Sequence, residues 1–94
     1  MYAVIFSSTL SADTDGYEET AEHMVRRCQA QPGFLAIESV RDASGHGITV
    51  CLWDSLESIA AWREDLEHQA AQESGRQRWY SEHRLLVCEV VRDT

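Results

Sequence analysis

The hydrophobic pattern of this chain alternates between two periods in one fixed order, and that order limits the fold more than any other feature. Residues 2–10 alternate as a strand does, with Tyr2, Val4, Phe6, Ser8 and Leu10 on one face and Ala3, Ile5, Ser7 and Thr9 on the other. Tyr17, Ala21, Met24, Val25 and Cys28 then share one face at helical spacing. An Asp15–Glu18 capping box predicts where that helix opens, and Pro32-Gly33 predicts a stop after about Gln31. Strand patterns come next at 34–41 and 48–53, joined by the turn-forming run 42–47. Asp54 or Ser55 caps a second helix; of the two, Asp54 has the box spacing, to Glu57. Its core stripe is Leu56, Ile59, Ala60, Trp62, Leu66 and Ala70. Residues 84–91 close the chain as a strand. The order β-α-β-β-α-β specifies an α+β, ferredoxin-like protomer, with a four-stranded antiparallel sheet and both helices on one face. Residues 1–94 read as a single domain.

A conflict in that plan predicts the assembly. Two helices cover one face of the sheet, yet the strands are apolar on both. The uncovered face exceeds the roughly 300–600 Å² of apolar patch that a monomer tolerates. Packing two sheets face to face removes it, so the chain is expected to be a homodimer.

Composition narrows the partners. Sixteen carboxylates against eight basic groups, all arginine, give a net charge of −8. Such a chain repels phosphate backbones and anionic bilayers, so neither nucleic acid nor membrane is expected. Tyr2 to Phe6 lacks the basic region that opens a signal peptide. Cys28, Cys51 and Cys88 are widely spaced and form no C-x-x-C, which argues against a metal site and for reduced thiols in a cytoplasmic protein. No motif implies a nucleotide, flavin or metal, so no cofactor is expected.

The chemistry gathers between Gly47 and Tyr80. A second stripe on the long helix runs through Ala61, Asp65, His68, Gln72, Arg76 and Trp79. It faces away from the core on a straight helix; a bend between Glu67 and Gly75 would turn it inward. His68 offers an acid, base or donor, and Arg76 a clamp for a carboxylate or phenolate. Each also has a plain structural reading, as a solvated imidazole and a surface ion pair. Trp62 divides between core and cavity, and Trp53 reads as a core anchor. Phe6, Phe34 and Trp79 supply ring surface, and Ser7 a hydroxyl on the first strand.

The segment G-I-T-V-x-x-W-x-S-L-E-x-I-x-A-W (Gly47 to Trp62), the later E-H-x-x-A-Q-x-x-G-R-x-x-W-Y (Glu67 to Tyr80) and Gln31-Pro32-Gly33-Phe34 resemble the antibiotic biosynthesis monooxygenase domain. The resemblance runs essentially the whole length. It implies a dimeric α+β barrel with a cavity between sheet and helices. Some members of that family oxidise anthrones or hydroquinones with molecular oxygen and no cofactor, using a Trp on the second helix, an Asn one turn earlier, a Tyr and an Arg. Trp62 matches the Trp, Ser58 stands at the Asn, His68 lies near the Tyr, and Arg76 or Arg84 stands for the Arg. Other members bind and degrade haem through an Asn, a Trp and an axial His; this chain has no Asn, and His68 is its candidate ligand. A third class is non-catalytic and binds a ligand as a dimer. The leading expectation is oxidation of a small quinol- or anthrone-like aromatic. Trp62, His68 and Arg76 are then catalytic, and Phe6, Ser7, Phe34, Gln72 and Trp79 line the substrate.

Overall fold

A computed structural model describes the backbone of residues 1–72 and 79–94 and the side chains of 1–66 and 79–94. The elements run in the expected order: β1 (Tyr2–Leu10), α1 (Tyr17–Gln29), β2 (Phe34–Arg41), β3 (His46–Trp53), α2 (Leu56–Gln72) and β4 (Tyr80–Glu89). The strands form one antiparallel sheet in the order β2-β3-β1-β4.

Register decides which residues can meet, because directly paired residues share a face. Tyr2 pairs Trp53, Val4 pairs Cys51 and Val87, Phe6 pairs Thr49 and Leu85, and Ser8 pairs Gly47 and His83. These rows carry the helices. Cys28, Cys51, Trp53, Ile59 and Trp62 form the buried cluster, with Tyr2, Val4, Met24, Phe34, Ile37 and Leu66 packed around it. The opposite face holds Ala36, Leu52, Ala3 and Cys88 in one row, Glu38, Val50, Ile5 and Leu86 in the next, and Val40, Ile48, Ser7 and Arg84 beyond. Much of it is open in the single chain: Val40 is 74%, Ile48 41% and Leu86 38% exposed.

Three local expectations are corrected, and one open alternative is decided. The Asp15–Glu18 box does not form; Gly16 caps α1 at φ 79°, with no side-chain cap bond. Only glycine adopts that left-handed conformation cheaply, and the turn delivers the Asp15 carbonyl to the indole of Trp79. Of the two candidates for the α2 cap, Ser55 takes the role: Ser58 N–H donates to Ser55 Oγ (3.1 Å), and Ser58 Oγ donates to Asp54 Oδ1 (2.8 Å). Asp54's own N–H is held by the Gly33 carbonyl at 2.9 Å. A register shift between Phe34 and Ala36 puts Phe34 on the core side with Ile37 and leaves Leu35 51% exposed. β4 begins at Tyr80, because its ladder with β1 continues through Glu82 to Leu10↔Tyr80, and ends at Glu89, where β1 runs out.

In the α2 stripe, Ile59 and Trp62 are buried, whereas Leu56 is 50% exposed and Ala60 is open. Asp65, expected to face away, turns to α1. Its two carboxylate oxygens accept from Arg27 Nη2 (2.6 Å) and Nε (3.1 Å), a two-point clamp that locks the helices together. The hydrogen bond to Asp65 raises the Arg27 pKa further above its ordinary value. Hydrogen bonding with Cys51, and then burial, push the Cys28 thiol well above the usual range, so it is a packed and unreactive group.

Candidate functional site

Two aromatic clusters occupy the helix side of the sheet. In the first, Trp53 is fully buried, Trp62 stacks on it at 6.3 Å between centroids, and Phe34 meets it edge-on at 5.8 Å. Trp62 is only 8% exposed. The packing therefore resolves its divided reading towards the core, and Phe34 and Trp62 meet through Trp53.

The second cluster lies further along β1. Phe6 meets Tyr80 at 5.4 Å, Tyr80 meets Tyr17 at 5.9 Å, and Tyr17 meets Trp79 at 5.7 Å, all close to perpendicular. Edge-to-face contacts of this kind rigidify a cluster. His83 adds an imidazole 6.2 Å from Phe6. Trp79 is the buried strut, 5% exposed, with its indole N–H on the Asp15 carbonyl at 2.9 Å. Beside Phe6, on the same face, Leu85 is 54% and Val87 50% exposed, so the β4 flank of the helix-side face is an open apolar floor.

A cation closes one end. Arg41 Nη2 donates to Ser8 Oγ (2.7 Å) and to the Tyr17 hydroxyl (3.3 Å), and Nη1 donates to the carbonyls of Ser8 (3.2 Å) and Gly45. Its guanidinium carbon lies 5.6 Å from the Tyr17 ring centroid. Room for it comes from Gly47, since a Cβ there would lie 2.7 Å from Arg41 Cζ. Among the described residues, Arg41 has no carboxylate partner. Nor do any three His, Cys, Asp or Glu side chains gather there as a metal site. Two shallow surface hollows lie on α1 at Ala21 and Val25 and at the hairpin between Val40 and Ile48; the second takes in Arg41, and neither includes Phe6 or Tyr80.

The sequence profile of the antibiotic biosynthesis monooxygenase family matches residues 1–74. The chain belongs to that family. A Bacillus subtilis (strain 168) protein, YqjZ, of uncharacterised function, is 55% identical over 91 residues, spanning 97% of this chain and 80% of YqjZ. The family fold is shared with SnoaB, a cofactor-independent oxygenase from Streptomyces nogalater (TM-score 0.77, 11% identity, 98% of this chain and 94% of SnoaB). It is shared too with MhuD, solved with two manganese protoporphyrin IX molecules per active site (TM-score 0.72, 23% identity, 100% of this chain and 98% of MhuD). Identities this low carry the fold alone.

Within this family domain, the expected site residues separate. Phe6 and Trp79 come together through Tyr80 and Tyr17. Ser7 does not join them: the strand alternation turns it to the opposite face, opposite Ile48 and Arg84. Arg84, the alternative to Arg76, leaves the helix side for the same reason. The side chains of His68 and Gln72, and all of Arg76, lie outside the described residues. Sequence reasoning passed over Arg41, Ser8 and His83 as site residues and placed Tyr17 only in the helix core. A signal was present: Ile37, Ser39 and Arg41 continue one face of β2, so an arginine falls on the core side, opposite a glycine.

Proposed function

We propose that this domain binds a small, flat aromatic on the helix side of its sheet and oxidises it with molecular oxygen, without a cofactor. The observation that carries this is the aromatic chain from Phe6 to Tyr17 beside the open floor of Leu85 and Val87. An apolar floor beside packed rings suits a flat ring, and among the described residues Arg41, Ser8 and the Tyr17 hydroxyl gather at one end, which orients a phenol or quinol.

In this reading, the apolar floor excludes water and a hydrogen-bonding end stabilises the substrate anion as its proton leaves. An electron-rich anion then reduces oxygen directly. For an anthrone, the ring CH₂ becomes C=O, one oxygen atom enters the product and the other leaves as water. The substrate supplies all the electrons. His68 and Gln72 belong to α2, and Arg76 comes soon after it in the chain. These three are proposed to complete the opposite wall, with His68 or Arg76 meeting the anion. Trp62 serves from behind by holding Trp53 and the sheet in place.

The same reading includes a homodimer. A second copy, packed sheet to sheet, would bury the rows around Ile5, Val50 and Leu86 and leave the helix-side site of each chain open. Oxygen uptake by the purified protein, without added metal or cofactor, tests the reaction against a panel of anthrones and naphthohydroquinones corrected for autoxidation. Protein-dependent uptake that falls at least tenfold in Phe6→Ala or His68→Ala is the expected result. Uptake equal to the protein-free rate across the panel would reject it.

A further inference from the structure

Arg41 is an arginine in a chain with twice as many carboxylates as basic groups, yet among the described residues no carboxylate meets it. Both its terminal nitrogens are spent on neutral acceptors: the Ser8 carbonyl and hydroxyl, the Gly45 carbonyl and the Tyr17 hydroxyl. Its positive charge is therefore held in place but not neutralised. Tyr17 accepts from Arg41, so the lone pair facing Arg41 is used and the hydroxyl hydrogen turns elsewhere. Tyr17 also leans on Tyr80, which leans on Phe6. The hydroxyl thus stands at one end of this chain of rings, with the Arg41 cation beside it.

We propose that Tyr17 Oη–H, polarised and aimed by Arg41, is the donor that recognises an ionised oxygen on the aromatic ligand, a phenolate or enolate. Tyr17 touches the ligand; Arg41 is a positioning residue that acts through it and adds the long-range attraction of its charge. An oriented donor backed by an uncompensated cation favours the anion over a neutral molecule of the same shape. This rests on the helix-side slot being the aromatic site, and it assigns that site its preferred charge state.

Tryptophan fluorescence quenching tests it with two probes of nearly equal shape: 2-hydroxy-1,4-naphthoquinone, an anion at neutral pH, and neutral 2-methoxy-1,4-naphthoquinone. The native protein is expected to bind the anion at least tenfold more tightly. Tyr17→Phe, which keeps the ring, is expected to weaken the anion far more than the neutral probe and bring the two affinities within about threefold. Arg41→Gln is expected to do the same; where its melting curve shows misfolding, Tyr17→Phe decides. Equal affinity of the native protein for both probes, or an anion preference that survives Tyr17→Phe, overturns the assignment while leaving the slot intact. Binding of neither probe overturns the assignment and the slot together. An intact preference without oxygen uptake upholds the assignment and rejects only the oxidation.

Discussion

Replacing Trp62 by alanine separates a core role from a chemical one. Trp62 is 8% exposed and stacks on the fully buried Trp53. An aromatic side chain of this kind buries about 150–250 Å², and at about 25 cal/mol per Å² its removal costs about 4 kcal/mol, within the range of about 3–5 kcal/mol for such truncations. A 94-residue domain has about 5–14 kcal/mol in hand, so the variant folds but loses much of its margin. At about 4–8 °C per kcal/mol, its melting temperature falls by about 15–30 °C. Urea unfolding at one fixed protomer concentration, followed by far-UV circular dichroism, reads the effect directly. Trp62→Phe keeps a ring against Trp53 and is expected to lose only about 1–2 kcal/mol. A loss under 1 kcal/mol for Trp62→Ala would refute the reasoning, because it would mean the indole lines an open cavity and not the core. Any fall in turnover of Trp62→Ala therefore has to be compared with Trp62→Phe before it is ascribed to chemistry.

Three further outcomes rest on particular contacts. Ile48→Glu puts a charge amid Val40, Val50 and Ile5 on the open sheet face; sedimentation velocity is expected to show a native dimer and a monomeric variant, and a native monomer would end the dimer proposal. Gly33 sits at φ 86°, and a Cβ there would run into Ser58 Oγ and Asp54 Oδ1, so Gly33→Ala is expected to cost at least about 2 kcal/mol from left-handed strain plus the clash; an unchanged urea midpoint would contradict it. The Asp42 carboxylate accepts from Ser44 Oγ and from the N–H groups of His46 and Ser44, which hold its pKa below the ordinary value. A depressed folded pKa stabilises the hairpin above the unfolded value of about 3.9 and is lost as pH falls through the folded one. Carbon-detected NMR should therefore show Asp42 titrating below about 3.9, and Ser44→Ala should move it up; no movement would remove the Ser44 bond as the main cause.

The order of elements was legible because each run of residues has one dominant period, and that alone sets a ferredoxin-like protomer. The α1 cap was misjudged by a residue, and the α2 cap stayed open between Asp54 and Ser55, because Asp, Ser and Gly all qualify locally and tertiary contacts choose among them. The Ser58 hydroxyl takes Asp54 Oδ1 while Ser55 Oγ receives the Ser58 N–H and so caps α2, and Trp79 claims the Asp15 carbonyl, which leaves Gly16 to cap α1. Register was the harder loss. Phe6 and Ser7 are neighbours in sequence and face opposite ways, so a site drawn from both could not exist on one face. The Arg27–Asp65 clamp joins residues 38 apart in two helices, and no periodicity within either helix announces it. The Tyr17–Tyr80–Phe6 chain likewise draws on the start of a helix and two strands, a meeting that only the sheet order brings about.

The central claim is that an aromatic ligand sits on the helix side, against the Phe6–Tyr80–Tyr17 chain. Titrating the isotope-labelled protein with an anthrone under argon, and tracking backbone amide and aromatic side-chain NMR signals, tests it most directly. The account predicts saturable shifts centred on Phe6, Tyr17, Tyr80, His83 and Leu85, with Val40, Ile48 and Val50 unmoved. Shifts centred on Val40, Ile48 and Val50, or none at saturating ligand, would contradict it.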